Sequence, residues 1–396
     1  MKLLVDFGAT RIKAVVVNEN VVVDKEEVIS PSARHWECKP DHFQFDAIEF
    51  RNAWEKIIDQ LIQRQNVDEI RVCTEMHGVI HNGTFYSWKD ARKNPAEFNG
   101  NRFKEITGMQ LRTGIPWITL QSIDLRGNIT VQTIVDYCIG GNKIHLTQAH
   151  SLGLVDKSTN DWSEELVKAI TPHLQLPTII TNIKESIGQY KGIPIFGGIG
   201  DLQSALFGVG LGENFDGVIN LGTGSQVALI KTEENVGEYR PLVNGKATVV
   251  THIPSGRALN IIARFVDSIK PNTFWEIWNS LTMEDVLCSR SGVVDLNMFP
   301  SAWRYRGINT GFMMMREDYT DVKDIIASTA RSWIEQYESA LLYMDHTEQS
   351  REIAVSGGLS KANWIIPTIK QLIPNRHFHR VNTVTGEETL DGLLKL

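Results

Sequence analysis

The chain has 396 residues, of which 42% are hydrophobic and 22% charged, and its formal net charge is −7. A chain of this length normally forms two domains, and this composition is typical of soluble globular proteins rather than of disordered segments. The negative charge argues against a nucleic-acid partner, because phosphate-backbone binding needs a basic stripe. No stretch approaches the roughly 18 apolar residues of a membrane span. Four cysteines without CxxC spacing favour reduced thiols, so a cytoplasmic protein is expected.

The first predicted element is a strand that runs into a glycine turn. Residues 3–17 (LLVDFGATRIKAVVV) form two apolar strands around the turn at 8–10, and a second turn at 18–20 leads to a further strand at 21–23. Glycine has no side chain that would block an anion. The first turn can therefore present backbone N–H groups and the Thr10 hydroxyl to a phosphate.

The next predicted elements are a helix, a buried strand and a polar segment. Apolar residues spaced three and four apart predict a helix over residues 45–65, and the apolar run at 69–74 predicts a buried strand. That strand leads directly into EMHG (75–78), and α/β proteins place ligand contacts at strand ends. Met76 and His77 are therefore candidate substrate contacts, although a histidine at this position is equally compatible with a core role.

A further strand, near the middle of the chain, ends on a carboxylate. Residues 121–137 before it predict a helix that breaks at a Gly-Gly pair. The segment IPIFGGIGD (193–201) then predicts a strand that feeds a glycine-rich turn, followed by a helix at 202–208. The carboxylate of Asp201 is thereby placed at a strand end with backbone close by.

The second half of the chain repeats the order of the first. Four glycines between residues 208 and 217 mark the expected boundary, so that the predicted domains are 1–212 and 213–396. Residues 217–230 (GVINLGTGSQVALI) form another pair of apolar strands around a glycine turn at 222–224. Further predicted elements are a strand at 247–253, a helix at 320–345, a strand at 352–356 and a helix from about residue 360. Strands that alternate with helices favour an α/β architecture.

Taken together, these motifs resemble those of the FGGY carbohydrate kinases. Two glycine hairpins that face each other would hold a nucleotide's phosphates from opposite sides, as in a two-lobed phosphotransferase. The matching motifs follow the family order over nearly the whole chain: DFGATRIK (6–13), EMHG (75–78), W-x-D-x-R (Trp88, Asp90, Arg92), the Gly-Asp pair at 200–201, GTGS (222–225) and SGGLS (356–360). EMHG is similar to the Gln-Met-His-Gly of ketose kinases, and GDLQS (200–204) is most similar to sedoheptulokinases.

The resemblance implies two ribonuclease-H-like domains of the actin/hexokinase ATPase type, with a cleft between them. Residues 1–212 would form the sugar-binding side and 213–396 the nucleotide-binding side. The implied activity is transfer of the γ-phosphoryl group of ATP, with Mg²⁺, to a hydroxyl of a ketose. A heptulose such as sedoheptulose, or a pentulose such as xylulose or ribulose, is the expected acceptor. Family members are often dimers, so a homodimer is a further expectation.

The resemblance also assigns roles to the two acidic strand ends. Asp201 would accept the proton of the sugar hydroxyl, although an aspartate here also suits the cap of the helix predicted at 202–208. Asp6 would hold Mg²⁺, and the alternative is an Asx turn.

The remaining candidate residues contact the nucleotide or the sugar. The expected nucleotide contacts are Gly8, Thr10, Lys13, Gly222, Thr223, Gly224, Gly357 and Gly358. Hairpin turn chemistry is the alternative for the glycine turns, and Lys13 is equally compatible with a solvated strand position. The expected substrate contacts are Met76, His77, Asp90, Arg92 and Gln203. Asp90 and Arg92 are also compatible with a surface ion pair.

Two other classes of protein are compatible with part of this pattern. An actin-like or chaperone-like ATPase would use the same nucleotide motifs without a sugar acceptor, but it would not account for EMHG or the Gly-Asp pair. A catalytically silent sugar-binding homologue is favoured by the chain's being shorter than most family members, chiefly around residues 110–125 and 255–320.

Overall fold

A computed structural model describes residues 1–33, 41–125, 129–233, 236–290, 292–299, 302–304, 311–315 and 321–396. The chain forms two compact units. The first consists of Met1–Gly208, Tyr239–Lys246 and Thr383–Leu396, and the second of Val209–Glu238 and Ala247–Asn382. The first unit therefore ends four residues before the boundary expected at 212, and it regains two later segments of the chain.

Strands and helices alternate along the first unit. Its strands are β1 (Lys2–Phe7), β2 (Arg11–Asn18), β3 (Val21–Ile29), β4 (Gln44–Asp46), β5 (Glu69–Thr74), β6 (Val79–His81), β7 (Thr84–Tyr86), β8 (Ile129–Thr130), β9 (Lys143–His145), β10 (Val155–Asp156), β11 (Asp161–Trp162), β12 (Leu174–Gln175), β13 (Thr178–Ile180), β14 (Gly188–Tyr190) and β15 (Ile193–Gly200). Its helices are α1 (Ile48–Arg64), α2 (Gly100–Thr107), α3 (Pro116–Leu120), α4 (Ile134–Ile139), α5 (Leu146–Ser151), α6 (Glu164–Ile170) and α7, which begins at Asp201 and ends at Val209.

The main sheet of the first unit has the order β14-β15-β5-β1-β2-β3. β1, β2 and β3 form an antiparallel meander, whereas β5 and β15 run parallel to β1. The apolar face of α1 covers this sheet, and the ring of Trp54 stacks on that of Phe7 with centroids 5.3 Å apart. Because β1, β5 and β15 are parallel and adjacent, their carboxyl ends lie at one edge of the sheet.

The second unit repeats this topology. Its strands are β16 (Gly217–Asn220), β17 (Gly224–Leu229), β18 (Glu238–Pro241, where the chain passes back to the first unit), β19 (Lys246–Pro254), β20 (Gly292–Asp295), β21 (Phe312–Met315), β22 (Glu352–Ser356) and β23 (His377–Arg380). Its helices are α8 (Gly256–Ile269), α9 (Thr273–Ser280), α10 (Met283–Leu287), α11 (Val322–Met344) and α12 (Ile365–Leu372), and α13 (Glu388–Lys395) belongs to the first unit. The sheet order β19-β17-β16-β22-β23, antiparallel then parallel, matches β3-β2-β1-β5-β15.

The predicted α/β architecture is confirmed, and two helix predictions are wrong. The expected helix at 121–137 is reduced to α4, because Thr133 and Asp136 form a capping box that starts the helix there. Residues 126–128 of that prediction lie outside the described residues. The helix expected from Ser360 is a 3₁₀ helix (Gly358–Lys361), and α12 begins only at Ile365.

The other predicted elements agree with the structure within a few residues. The predictions at 69–74 and 352–356 match β5 and β22, and the helix predicted at 45–65 is α1, preceded by the short strand β4. The helix predicted at 320–345 corresponds to α11. Residue 320 of that prediction lies outside the described part of the chain. Among the described helices, none combines the length and apolar character that a membrane span needs.

Candidate active site

Three carboxylates lie at the carboxyl-end edge of the first sheet. Asp6 is the fifth residue of β1, Glu75 directly follows β5, and Asp201 directly follows β15. These three strands are adjacent and parallel, so the acidic groups gather at one edge. Asp6 and Asp201 are residues with predicted roles in the site, whereas Glu75 belongs to the EMHG motif without a predicted role of its own.

The Asp6 carboxylate is held by two hydrogen bonds. Its Oδ2 accepts from the Thr389 hydroxyl at 2.7 Å, and its Oδ1 accepts from the Cys73 thiol at 3.5 Å. Asp6 is 8% exposed, and this burial raises the pKa of its carboxyl, an effect that the hydrogen bond from Thr389 partly offsets. Thr389 and Cys73 were not predicted as neighbours of this group.

Asp201 begins α7, and its Oδ1 accepts a hydrogen bond from the Leu202 N–H at 2.8 Å. Burial, together with the nearby charge of Asp6, raises the pKa of the Asp201 carboxyl to about 7. A carboxyl with that pKa can accept a proton at neutral pH and still be ionised beforehand. This bond joins neighbouring residues, whereas an N-cap side chain accepts from the second or third N–H of its helix, so it is not the predicted cap contact. The raised pKa is compatible with the predicted base role.

Glu75 connects the end of β5 to two other segments. It is 3% exposed, its Oε1 accepts from the Ser32 hydroxyl, and its Oε2 accepts from the Trp88 indole N–H at 3.0 Å. Burial raises the pKa of Glu75 to about 7, and the charge of Asp201 adds to this effect. The two donors lie 43 and 13 residues away in sequence, so no local pattern could indicate them.

His77 adopts a left-handed backbone conformation, with φ of +63°. Its Nδ1 lies 2.7 Å from the Ser151 carbonyl oxygen, which can only accept, so this nitrogen carries the proton. Its Nε2 lies 3.5 Å from an Arg112 guanidinium nitrogen. Strained backbone at a strand end is typical of functional sites, which agrees with the predicted substrate contact.

Met76 and Gln203 lie next to each other, as expected for two residues of one site. Both side chains flank Gly200: a Cβ atom on that glycine would stand 2.3 Å from Gln203 Oε1 and 3.1 Å from Met76 Sδ. Met76 is 8% exposed, and Gln203 is fully buried. Neither amide atom of Gln203 has a hydrogen-bond partner among the described residues.

Asp90 and Arg92 form a buried structural pair. The Arg92 Nε and Nη2 donate to Asp90 at 2.8 and 2.7 Å, and Asp90 is only 2% exposed, so it is not the surface ion pair considered as an alternative. Asp90 also accepts from the Phe43 N–H at 3.0 Å, and the Arg92 guanidinium covers the Tyr86 ring. These contacts use the pair to hold its own loop, which favours a supporting role over direct substrate contact.

The first glycine turn carries both backbone and charged contacts. A Cβ atom on Gly8 would lie 2.9 Å from the Arg11 carbonyl oxygen, and Thr10 is exposed. The Lys13 ammonium lies 2.5 Å from a carboxylate oxygen of Glu387. Two alternatives were predicted for Lys13, a phosphate contact and a solvated position. This ion pair was not among them.

In the second unit, the corresponding turn rests on the start of α8. The N–H groups of Gly256 and Arg257 donate to the carbonyls of Gly222 and Thr223 at 3.1 and 2.9 Å. A Cβ atom on Gly224 would meet nothing within 4 Å. The start of α8 therefore supports the turn through these hydrogen bonds. Gly224 leaves space for a ligand.

The glycine pair after β22 divides into one structural and one open position. Gly357 has φ of +89°, and a Cβ atom there would lie 2.6 Å from the Leu221 carbonyl oxygen. A Cβ atom on Gly358 would meet nothing within 4 Å. The adjacent Leu359 N–H donates to Leu221 at 3.1 Å, which ties this turn to the one at 222–224.

The acidic edge of the first sheet suits a magnesium ion. Mg²⁺ prefers oxygen ligands and usually binds through one or two carboxylates, water and substrate phosphates. Asp6, the residue that the resemblance assigns to Mg²⁺, is one such carboxylate at this edge. No cluster of three or more His, Cys, Asp or Glu that could hold a metal occurs in the part of the chain that the structure describes.

Comparison with known proteins begins with sequence, and no family model matches the chain. Glycerol kinase 2 from Streptomyces avermitilis is 24% identical over 337 residues, which cover 72% of this chain and 64% of the relative. An uncharacterized sugar kinase from Archaeoglobus fulgidus is 23% identical over 290 residues, which cover 59% and 56%. The chain thus spans less than two thirds of the length of these curated relatives.

Solved structures of carbohydrate kinases share the fold over nearly the whole chain. Gluconate kinase and ligand-bound xylulose kinase from Lactobacillus acidophilus give TM-scores of 0.83 and 0.81, both at 16% identity, over 99% and 100% of this chain and 88% of theirs. Plasmodium falciparum glycerol kinase with ADP gives 0.74 at 18% identity, over 99% of this chain and 88% of its own. The chain has the fold of the FGGY-type carbohydrate kinases, as the resemblance implied.

Proposed function

We propose that the protein is an ATP-dependent carbohydrate kinase in which Asp201 is the catalytic base. The observation that carries this proposal is the buried Asp201 carboxylate at the strand edge, whose pKa is raised to about 7 by burial and by Asp6. Phosphoryl transfer requires a positioned hydroxyl, a base beside it and compensation for phosphate charge. The acidic edge would provide the base, and Gly224 and Gly358 of the second unit leave open backbone for phosphate.

The proposed reaction transfers one proton and one phosphoryl group. Asp201 accepts the proton of the acceptor hydroxyl, whose oxygen attacks the γ-phosphorus of ATP. The bond between that phosphorus and the bridging oxygen of ADP then breaks, and ADP leaves. A bound Mg²⁺ would neutralise phosphate charge, and Asp6 is the residue proposed to hold it. The proposed phosphate and nucleotide contacts are Gly8, Thr10, Gly222, Thr223, Gly224 and Gly358. Gly357 is proposed to support Gly358.

For the acceptor, we propose a ketose, with a heptulose first and a pentulose second. The support is the sequence EMHG at the end of β5 and the placement of Met76, His77 and Gln203 close to the strand edge. The relatives named above include xylulose, gluconate and glycerol kinases, so polyols and sugar acids are the competing acceptor classes. A cytoplasmic location and a homodimer remain predictions from the sequence.

The test is release of ADP from Mg-ATP across a panel of ketoses, aldoses, polyols and sugar acids. Turnover with one class, lost in Asp201→Asn and retained in the exposed-site control Asp161→Asn, is the expected result. ATP hydrolysis that is indifferent to every acceptor would instead identify an ATPase. Sugar binding without ATP binding would identify a silent sugar-binding protein.

A further inference from the structure

The segment Thr383–Leu396 packs against the strands that carry the acidic edge. Arg71 of β5 donates from its guanidinium to the carbonyls of Leu393 and Leu394, both at 3.0 Å. Leu390 and Leu393 share a buried apolar cluster with Leu4 of β1 and Cys73 of β5. Helix α13 therefore packs on the face of the sheet next to Asp6. It does so although nearly the whole chain separates it from β1 in sequence.

Thr389 contacts both acidic elements. Its hydroxyl donates to Asp6 Oδ2 at 2.7 Å, and its carbonyl accepts from the Ser204 hydroxyl at 2.7 Å. Ser204 lies on α7, three residues after Asp201. A single residue thus links the carboxylate of β1 to the helix that begins with the proposed base.

Two glycines allow α7 and α13 to touch through their backbones. A Cβ atom on Gly392 would lie 1.9 Å from the Ser204 carbonyl oxygen, and one on Gly208 would lie 2.2 Å from the Glu388 carbonyl oxygen. No larger residue fits either position without moving a helix. This close approach restricts where the Thr389 hydroxyl can lie relative to α7.

The turn before α13 is fixed by Asp391. This carboxylate accepts from the Val384 N–H at 2.7 Å, the Thr385 N–H at 2.8 Å and the Thr385 hydroxyl at 2.6 Å. At the end of the same turn, Glu387 pairs with Lys13 of β2 at 2.5 Å. Besides its apolar contacts, the segment therefore makes a hydrogen bond to Asp6 and an ion pair with Lys13 in the β1–β2 hairpin.

We propose that Thr389 is a positioning residue, which sets the orientation of the Asp6 carboxylate relative to Asp201 for holding a phosphate-bound cation. The inference rests on the proposed function. The hydrogen bond from Thr389 to Asp6 Oδ2 restricts rotation of the carboxylate. It thereby fixes the direction in which the remaining lone pairs can bind a cation. Losing a group that orients a metal ligand typically costs about 10–100-fold in metal affinity or activity.

The experiment compares Thr389→Val with Thr389→Ser. Valine keeps the branched shape and removes the hydroxyl, whereas serine keeps the hydroxyl. The matched control is Thr368→Val, which removes a buried hydroxyl that donates to the Trp364 carbonyl at 2.7 Å in α12, remote in sequence from the acidic residues. The measurements are the Mg²⁺ concentration for half-maximal rate, ADP affinity with and without Mg²⁺ by calorimetry, and crystal structures of the variants.

Thr389→Val is expected to require about 10–100-fold more Mg²⁺ and to weaken ADP binding only when Mg²⁺ is present. Thr389→Ser should restore both values, and Thr368→Val should leave them at wild type whatever its effect on stability. Wild-type Mg²⁺ dependence in Thr389→Val would overturn the inference. If the wild-type protein phosphorylates no acceptor, the proposed function fails separately. The structures then decide: an Asp6 carboxylate displaced in Thr389→Val supports positioning, and one that is unmoved overturns it.

Discussion

The two units use the same five-strand sheet order but carry different chemistry at equivalent strand ends. Asp6 of β1 pairs in register with Cys73 of β5, and Asn220 of β16 pairs in register with Ser356 of β22. In the first unit the Cys73 thiol donates to the Asp6 carboxylate at 3.5 Å. In the second, the Asn220 amide donates to the Ser356 hydroxyl at 3.2 Å. A side-chain hydrogen bond joins the equivalent strands in both units, but the donor and acceptor strands are exchanged, and the second unit has a neutral amide where the first has a carboxyl group.

If the proposed function holds, this difference divides the requirements of phosphoryl transfer between two copies of one architecture. The first sheet ends in carboxylates, which suit a base and a cation. The second ends in amide, hydroxyl and glycine groups, which suit a polyanion that carboxylates would repel. A duplicated sheet therefore permits two electrostatic environments that a single strand edge could not provide together.

The largest expected effect comes from neutralising the first unit's proposed base. Asp201→Asn should lower kcat by about 10²–10⁴-fold, the usual contribution of general-base catalysis. In the wild type, the rate should rise with pH through about 7, because only the ionised Asp201 carboxylate accepts a proton. Steady-state ADP release between pH 5.5 and 9 provides the measurement. A variant with full turnover would contradict the assignment.

Asp201→Asn should lower the rate but raise the stability of the folded protein above neutral pH. The Asp201 pKa is raised from an ordinary 3.8 to about 7 in the folded protein. The folded state therefore binds this proton more tightly, so stability falls as pH rises from about 4 to about 7 and stays lower above that. Asp201→Asn removes this penalty, and its melting temperature at pH 8 should exceed that of the wild type. Asp161→Asn serves as the control.

Asn220→Asp would give the second unit the charge of the first. A carboxylate at 4 Å from a phosphate interacts unfavourably by about 1 kcal/mol in water and about 4 kcal/mol at the effective dielectric near a protein surface. The ATP affinity should therefore fall about tenfold or more, with little change in kcat at saturating ATP. Calorimetric binding of ATP provides the measurement, and Asn220→Ser is the neutral control. An unchanged ATP affinity in Asn220→Asp would show that the end of β16 does not lie close to the bound nucleotide.

The adjacent glycines after β22 provide a matched pair. Gly357→Ala forces a side chain into a backbone with φ of +89°, 2.6 Å from a carbonyl oxygen, and should destabilise the fold by about 1–3 kcal/mol. Gly358→Ala meets no protein atom within 4 Å. It should leave the melting temperature nearly unchanged and raise the KM for ATP. Thermal denaturation and kinetics of both variants distinguish the structural glycine from the ligand-facing one.

The smallest expected effect is that of Glu75→Gln. Burial raises the pKa of Glu75 to about 7, so the wild-type protein loses stability as pH rises from about 4.5 to about 7. Glutamine should remove this part of the pH dependence. It should also lower the midpoint of the pH–rate profile, because a negative charge near Asp201 is lost. Denaturant unfolding at pH 5 and pH 8, beside the rate profile, tests both effects. A midpoint that does not shift would show that Glu75 and Asp201 titrate independently.

The features that the sequence could predict are those encoded locally. The apolar strands, the glycine turns and the carboxylates at strand ends each occupy a few consecutive residues, so Asp6, Asp201 and the turn at 222–224 could be recognised. The contact of Asp6 with Thr389 joins residues 383 positions apart, and no periodicity or motif indicates it. The partners of Glu75 and His77 were missed for the same reason.

Three charged residues have tertiary contacts that their local sequence does not indicate. Asp90 and Arg92 carry the spacing of a surface ion pair or a substrate loop, but the fold buries Asp90. The Asp90 carboxylate accepts from the backbone N–H of Phe43, and the Arg92 side chain donates to Asp90. Lys13 lies beside a glycine turn, where a phosphate partner was predicted, and its ammonium pairs with the carboxylate of Glu387, the residue before α13. Tertiary packing, which local sequence does not encode, supplied each partner.

The return of residues 383–396 to the first unit has a consequence for the order of synthesis. On the ribosome, β1, β5 and α7 emerge long before α13, so the nascent first unit has its strands but lacks the helix that covers Leu4 and Cys73. The side chain that orients Asp6 is also missing at that stage. A partially made chain would therefore expose an apolar surface and hold an incomplete acidic edge, so completion of this edge depends on translation of α13.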